Sequence, residues 1–194
     1  EDENAKIVVT ATKRAEPVRD ISASISAFDE ASLENIGARS FADYLTRTPG
    51  VVFNQTVPGN STAIIRGVAT TTGIAQAQGT TGYFLNDVPM TEPFYSGGIP
   101  DLDTFDVDNV AVLRGPQGTL FGSASLGGAI NYQARRPDLN SADVHVRGTL
   151  ETVPHGDEGY SANAMVNVPI VNDVLAVRGV LSHRSIAGFV DNIG

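Results

Sequence analysis

The chain has 194 residues, with 13 Lys+Arg against 22 Asp+Glu, a formal net charge of −9, three His and no Cys. So acidic a chain lacks the basic surface by which proteins release counterions from DNA or RNA, so no nucleic-acid partner is expected. Without Cys there is no disulfide framework, zinc ribbon or thiol nucleophile. No apolar run approaches the roughly 18 residues of a membrane-spanning helix, which leaves open a β-barrel strand, whose hydrophobicity falls on alternate residues.

In chain order, an acidic start, EDEN, precedes the β-branched run KIVVTAT, which suits an extended strand after a flexible tail. Two short helices are expected next. Asp29 is placed as an N-cap, with Phe28 and Leu33 as a hydrophobic staple and Gly37 as the stop. Ser40 and Asp43 mark a second capped start, which runs through Tyr44 and Leu45 to the breaker Thr48-Pro49-Gly50. Short strands then follow at residues 51–53, 63–66, 82–85, 110–114 and 129–134. Between them lie long glycine-rich or polar loops at 54–61, 68–81 and 89–100, and loops of that length in a compact region are usually functional or disordered.

From Ala142 the pattern changes to strict alternation. Val144, Val146 and Leu150 fall on one face, opposite His145, Arg147, Thr149 and Glu151; Ala162, Ala164, Val166 and Val168 alternate with Asn163, Met165 and Asn167. Leu175, Val177 and Leu181 continue the apolar face in a third run. A long polar connection (152–159) and a short one (169–173) resemble the outer loops and periplasmic turns of a transmembrane barrel. Three strands do not close a barrel, so they are either a soluble antiparallel sheet or the beginning of a larger barrel.

The glycine-rich stretch 113–137, LRGPQGTLFGSASLGGAINYQARRP, fails as a phosphate site. It has no Lys for a Walker loop and no G-x-G-x-x-G fingerprint. Asp101, Asp103, Asp106 and Asp108 miss the calcium-loop register, since Asp106 stands where Gly is required; a solvated turn leading into a short helix is expected there. His145, His155 and His183 lack zinc-ligand spacing, and neither G-x-S-x-G nor H-E-x-x-H occurs, so no enzyme is expected. In conformational terms Gly115 and Pro116 read as an N-cap and first helical residue, with Gln117 to Phe121 as one helical turn that includes Gly118. Gly122 reads as its left-handed stop, and Gly127 and Gly128 as points of close backbone approach.

That stretch resembles the closing signature of the plug domain of TonB-dependent outer-membrane receptors: RGP, a small-residue turn, FG, then GG-x-IN and a basic-Pro end. In the family's order, IVVTATKR resembles the TonB box and first plug strand, and ADYLTRTPGVVF the helix ending in PGV. AIIRGV resembles the IRG strand, and YFLNDVP the DG-V-P hairpin, with Asn86-Asp87 in place of Asp-Gly.

The resemblance implies an α+β fold: a small mixed-sheet plug with short helices and long loops, followed by antiparallel strands of an incomplete transmembrane β-barrel. The implied divisions are a tail with the TonB box at 1–13, the plug at 14–138 and about three barrel strands at 139–194. The implied function is TonB-dependent active transport across the outer membrane of a Gram-negative bacterium, with the plug facing the periplasm, lipid around the barrel and no resident cofactor or metal. The implied substrate is a ferric siderophore or similar iron chelate. Ile7, Val8, Val9 and Thr10 would pair with the C-terminal domain of TonB as an added strand. Arg66 and Arg114, each in an [IL]-R-G pattern, would lock the plug to carboxylates of the barrel wall. Gln76, Gln78, Glu92, Phe94 and Tyr95, in the long loops, are the expected substrate contacts. The alternative is a soluble periplasmic ligand-binding or adhesion domain with no transport role.

Overall fold

The computed structural model describes residues 7–9, 16–38, 40–57, 60–69, 79–90, 102–122, 124–152 and 158–185. The chain divides into two compact units, residues 1–134 and 135–194. The first is built on a five-stranded mixed sheet. Its strands are β3 (Ile25–Asp29), β6 (Thr81–Leu85), β7 (Val88–Pro89), β8 (Val107–Arg114) and β9 (Gly128–Ala134), in the order β3-β8-β9-β6-β7. Only β6 and β9 run parallel; the other neighbours are antiparallel.

Two apolar layers explain the near-continuous hydrophobic run of β8, because a strand covered on both faces has no solvent side to make polar. On one face, α1 (Glu30–Asn35), α2 (Phe41–Leu45) and a hairpin of β4 (Val51–Val57) and β5 (Asn60–Ile65) deliver Leu33, Tyr44, Leu45 and Ile65 against Val110, Val112, Ile130 and Tyr132. The other face holds Ile7, Val9, Ile21 and Phe121 against Ala27, Phe84, Ala111, Leu113 and Ala129. Ile7 adjoins β1 (Val8–Val9), which pairs with β2 (Glu16–Pro17), and Phe121 ends α3 (Gly118–Phe121).

The helix starts follow the expected chemistry. Asp29 caps α1 by accepting from the Ser32 N–H at 2.8 Å, and Ser40 and Asp43 form a reciprocal capping box on α2. Gly37, just after the α1 C-cap, has φ +67°, the backbone that helix needs to turn away, and Gly50, in the turn between α2 and β4, has φ +76°. Between α2 and the sheet, the Tyr44 and Tyr132 hydroxyls bond each other in the core. The Tyr83 hydroxyl accepts from the Ala63 N–H at 3.0 Å, and burial pushes its pKa up.

Four expectations need correction. Much of the loop expected at 54–61 belongs to the β4 and β5 arms, since polar residues can fill a two-stranded ladder. The short helix expected after the acidic turn is instead strand β8, entered through Asp106 at φ +61°. There the Asp103 carboxylate accepts from the Phe105 N–H at 2.9 Å, and that of Glu30 from the Asp106 N–H at 3.3 Å. Helix α3 begins at Gly118 with Gln117 as its cap, so Gly115 and Pro116 precede it. Its end at Gly122 has φ +83° and ψ −167°, an extended positive-φ conformation open to glycine and not the left-handed helical one.

The second unit is an antiparallel meander of β10 (Asp143–Thr152), β11 (Glu158–Val171) and β12 (Leu175–Ser185). Its register sets Val144 opposite Val166, Ala164 opposite Leu181 and Val168 opposite Val177. Val144, Val146, Leu150, Ala164, Val166, Val168, Val177 and Leu181 therefore share one face, and that face is exposed: Leu150 is 86% exposed and Leu181 73%. On the opposite face Asn163, Met165 and Asn167 are buried. Among the described residues no helix is long and apolar enough to cross a membrane.

Candidate functional site

The N-terminal strand combines burial with a second backbone edge turned away from β2. Ile7 and Val9 insert into the core, and the Ile7 carbonyl accepts from the Val18 N–H at 3.0 Å on the β2 side. Backbone groups of successive residues in a ladder point to opposite edges, so those of Val8 face away from β2. The Val8 carbonyl there accepts from Nδ2 of Asn109 at 3.4 Å, and its side chain is 49% exposed. Thr10 lies outside the described residues.

The fold brings the two arginines to one place. Arg66, exposed and at φ +54°, donates its backbone N–H to the Gly50 carbonyl at 2.7 Å. Arg114 donates from Nη1 to the adjacent Pro49 carbonyl at 3.0 Å, and its Nε is buried without a hydrogen-bond partner. Nη1 of Arg66 lies 3.1 Å from where a Cβ on Gly115 would stand. The helix stop Pro49-Gly50 is thus a shared seat for both arginines. Among the described residues neither guanidinium is in an ion pair.

The glycines earn their places unequally. Gly115 (φ +109°) turns the chain out of β8 and donates its N–H to the Gly127 carbonyl at 2.9 Å. A Cβ on Gly128 would strike the Leu113 carbonyl and come within 2.6 Å of Cδ1 of Ile65. On Gly127 it would press the Ile65 carbonyl at 3.3 Å, whereas Gly118 has nothing within 4 Å. The close-packed point is therefore the re-entry into β9.

The expected substrate contacts Gln76, Gln78, Glu92, Phe94 and Tyr95 all lie outside the described residues. No group of three or more His, Asp or Glu suited to a metal ion occurs among the described residues.

The Asn109 tether, and the side-chain partners of the expected Asn86-Asp87 hairpin turn, were missed from sequence. Asn109 tethers β1, and its signal was a lone amide in the apolar run VDNVAVLR. At the Asn86-Asp87 turn both residues take positive φ, +49° and +67°, as a type I′ hairpin turn requires. The Asp87 carboxylate accepts from Asn131 Nδ2 at 2.9 Å, and the Asn86 side-chain oxygen accepts from the Ala134 N–H at 2.9 Å. These residues take over the role of Asp-Gly and also extend the sheet toward β9.

A mixed sheet buried on both faces, joined in sequence to strands with one exposed apolar face, defines a plug with the opening strands of a β-barrel. Residues 17–129 match the family described as TonB-dependent Receptor Plug Domain. The chain is 31% identical over 177 residues to the iron-regulated outer membrane virulence protein of Vibrio cholerae, covering 89% of this chain and 26% of that protein. It is 29% identical over 172 residues to the catecholate siderophore receptor Fiu of Escherichia coli, covering 86% and 20%. In fold it resembles the ferric yersiniabactin uptake receptor FyuA of Yersinia pestis, at TM-score 0.67, 24% identity and coverage of 82% of this chain and 24% of that one. It also resembles the ferripyoverdine receptor of Pseudomonas aeruginosa, at TM-score 0.70, 20% identity and coverage of 95% and 23%. The chain belongs to the plug-domain family of TonB-dependent receptors, and it spans about a quarter of the length of the first of these relatives.

Proposed function

We propose that this chain supplies the plug and first barrel strands of a receptor in the outer membrane of a Gram-negative bacterium. The receptor takes up an iron chelate, with the plug gating the barrel from the periplasmic side. The observation that carries this reading is the change of burial along the chain: a sheet with two covered faces, then a meander with an apolar face turned outward, as a lipid-facing wall requires. The names of the relatives, an iron-regulated outer membrane protein and a catecholate siderophore receptor, favour an iron chelate as cargo.

In this reading nothing is catalysed. TonB adds a strand to residues 7–10, for which the edge offered by Val8 is suited. Arg66 and Arg114 grip carboxylates of the barrel wall, a role that fits two arginines held at Pro49-Gly50, Arg66 through its backbone N–H and Arg114 through its guanidinium. Gln76, Gln78, Glu92, Phe94 and Tyr95 meet the chelate from the long loops.

Calorimetric titration of the chain with the periplasmic C-terminal domain of TonB tests the energised part. Saturable binding is expected, and Val8→Pro, which removes a main-chain donor from the edge opposite β2, is expected to abolish it. A folded chain that does not bind TonB would overturn the docking role.

A further inference from the structure

Residues 135–142 lead from β9 into β10, and one residue of β11 holds them. The Asp138 carboxylate accepts from the N–H of Asn140 (2.8 Å), the N–H of Ser141 (3.2 Å) and the Ser141 hydroxyl (2.8 Å), which closes a local turn. A turn needs no more than that. Here, however, the Asn167 side chain, 0% exposed, also grips the backbone on both sides of the turn. Its Oδ1 accepts from the Asp138 N–H at 3.0 Å, while Nδ2 donates to the carbonyls of Asp138 (3.0 Å) and Ser141 (2.6 Å). A second tie joins Asn140 Nδ2 to the Asp173 carboxylate at 2.9 Å, in the turn between β11 and β12.

Asn167 cannot move without its strand, because β11 is laddered to β10 on one side and β12 on the other. Bonds to both the N–H and the C=O of one residue must stretch together when the chain is drawn from its N-terminal side. We propose that Asp138 and Asn167 form a mechanical anchor, at which tension drawn along the chain from the N-terminus stops before it reaches β10. The proposal rests on the receptor reading above, in which the plug is the part that is pulled. The Asp138 carboxyl is held below the usual carboxylate range by the Asn140 N–H and then by Ser141, with Arg178 adding to the effect. The turn is accordingly strongest with that group ionised.

The test is single-molecule pulling on the intact receptor in a lipid bilayer, through a handle at the N-terminus. Native receptor is expected to release chain up to residue 137 and hold. Asn167→Ala is expected to release residues 138–142 as well, lengthening the last plug step by about 17 Å at ~3.4 Å per residue, with the earlier steps unchanged, whereas Asp138→Ala, which keeps the main-chain groups that Asn167 grips, is expected to hold at 137. Release through 142 in the native receptor, or an unchanged step in Asn167→Ala, would overturn the anchor. Should Asn167→Ala fail to fold, Asn167→Asp keeps the acceptor for the Asp138 N–H and removes both donations. Hydrogen exchange on the native receptor gives a further check: the Asp138 amide is expected to exchange at least about tenfold more slowly than that of exposed Arg136, and equal rates would refute the anchor. The handle supplies the force, so a receptor that TonB does not energise would fail the titration yet still stop at residue 138.

Discussion

Strands β8 and β11 are both central in their sheets, yet they bury their side chains in different ways. From Val110 to Leu113, β8 is buried at every residue, because helices and a hairpin cover one face and the N-terminal segment and α3 cover the other. From Tyr160 to Val168, β11 turns Tyr160, Ala162, Ala164, Val166 and Val168 outward and keeps Asn163, Met165 and Asn167 inside. An ordinary soluble sheet puts its apolar face inward. The comparison teaches that the plug is stabilised by its own packed layers, while the meander leaves its apolar face exposed.

The largest expected effect lies at the tightest point of the plug. Gly128→Val drives a branched side chain into the Leu113 carbonyl and Ile65 and is expected to cost about 3 kcal/mol or more. Gly118→Ala, with open space around it, should stay within about 0.5 kcal/mol; urea denaturation of the two variants compares them directly. Equal effects would mean that the sheet is not packed at β9 as described.

Next comes the outward face of the meander. In the intact receptor in lipid vesicles, Val166→Arg should destabilise folding by about 2–4 kcal/mol if it lies near the bilayer midplane, whereas Thr149→Arg on the opposite face should cost far less. The folded fraction on an unheated gel reports both. If the two behave alike, the apolar face does not meet lipid.

Within the plug, Tyr44→Phe leaves the buried Tyr132 hydroxyl without that partner and is expected to cost about 1–2 kcal/mol. The double variant with Tyr132→Phe should cost less than the sum of the singles, a coupling that a double-mutant cycle measures. Asp29→Ala removes the α1 cap for about 1 kcal/mol, read as a shift in the denaturation midpoint.

The smallest effect is a pH dependence of the Asp138 turn. Its folded pKa is depressed by the Asn140 and Ser141 bonds, so its contribution is present above the unfolded carboxylate pKa and is lost as pH falls through the folded one. A carbon-13 NMR titration of the Asp138 carboxyl should therefore have its midpoint below that of an unstructured Asp.

Much of this was legible because it is local. The caps at Asp29 and Ser40, the stops at Gly37 and Gly50, and the alternation after Ala142 each depend on spacing within a few residues, and each appears in the structure. The strand boundaries of the β4–β5 hairpin were not legible, since its polar arms carry no apolar period. Helix α3 began later than expected because Pro116 marks a turn as readily as a helix start.

From the sequence alone came the family resemblance, the two β regions and the sense of their alternation, since these reside in motif order and in a period of two. Tertiary structure alone decided which glycine is irreplaceable, that Arg66 and Arg114 share a seat at Pro49-Gly50, and that Asn167 grips Asp138 from 29 residues away. Those contacts join segments distant along the chain, and which segments meet is decided only when the sheets assemble.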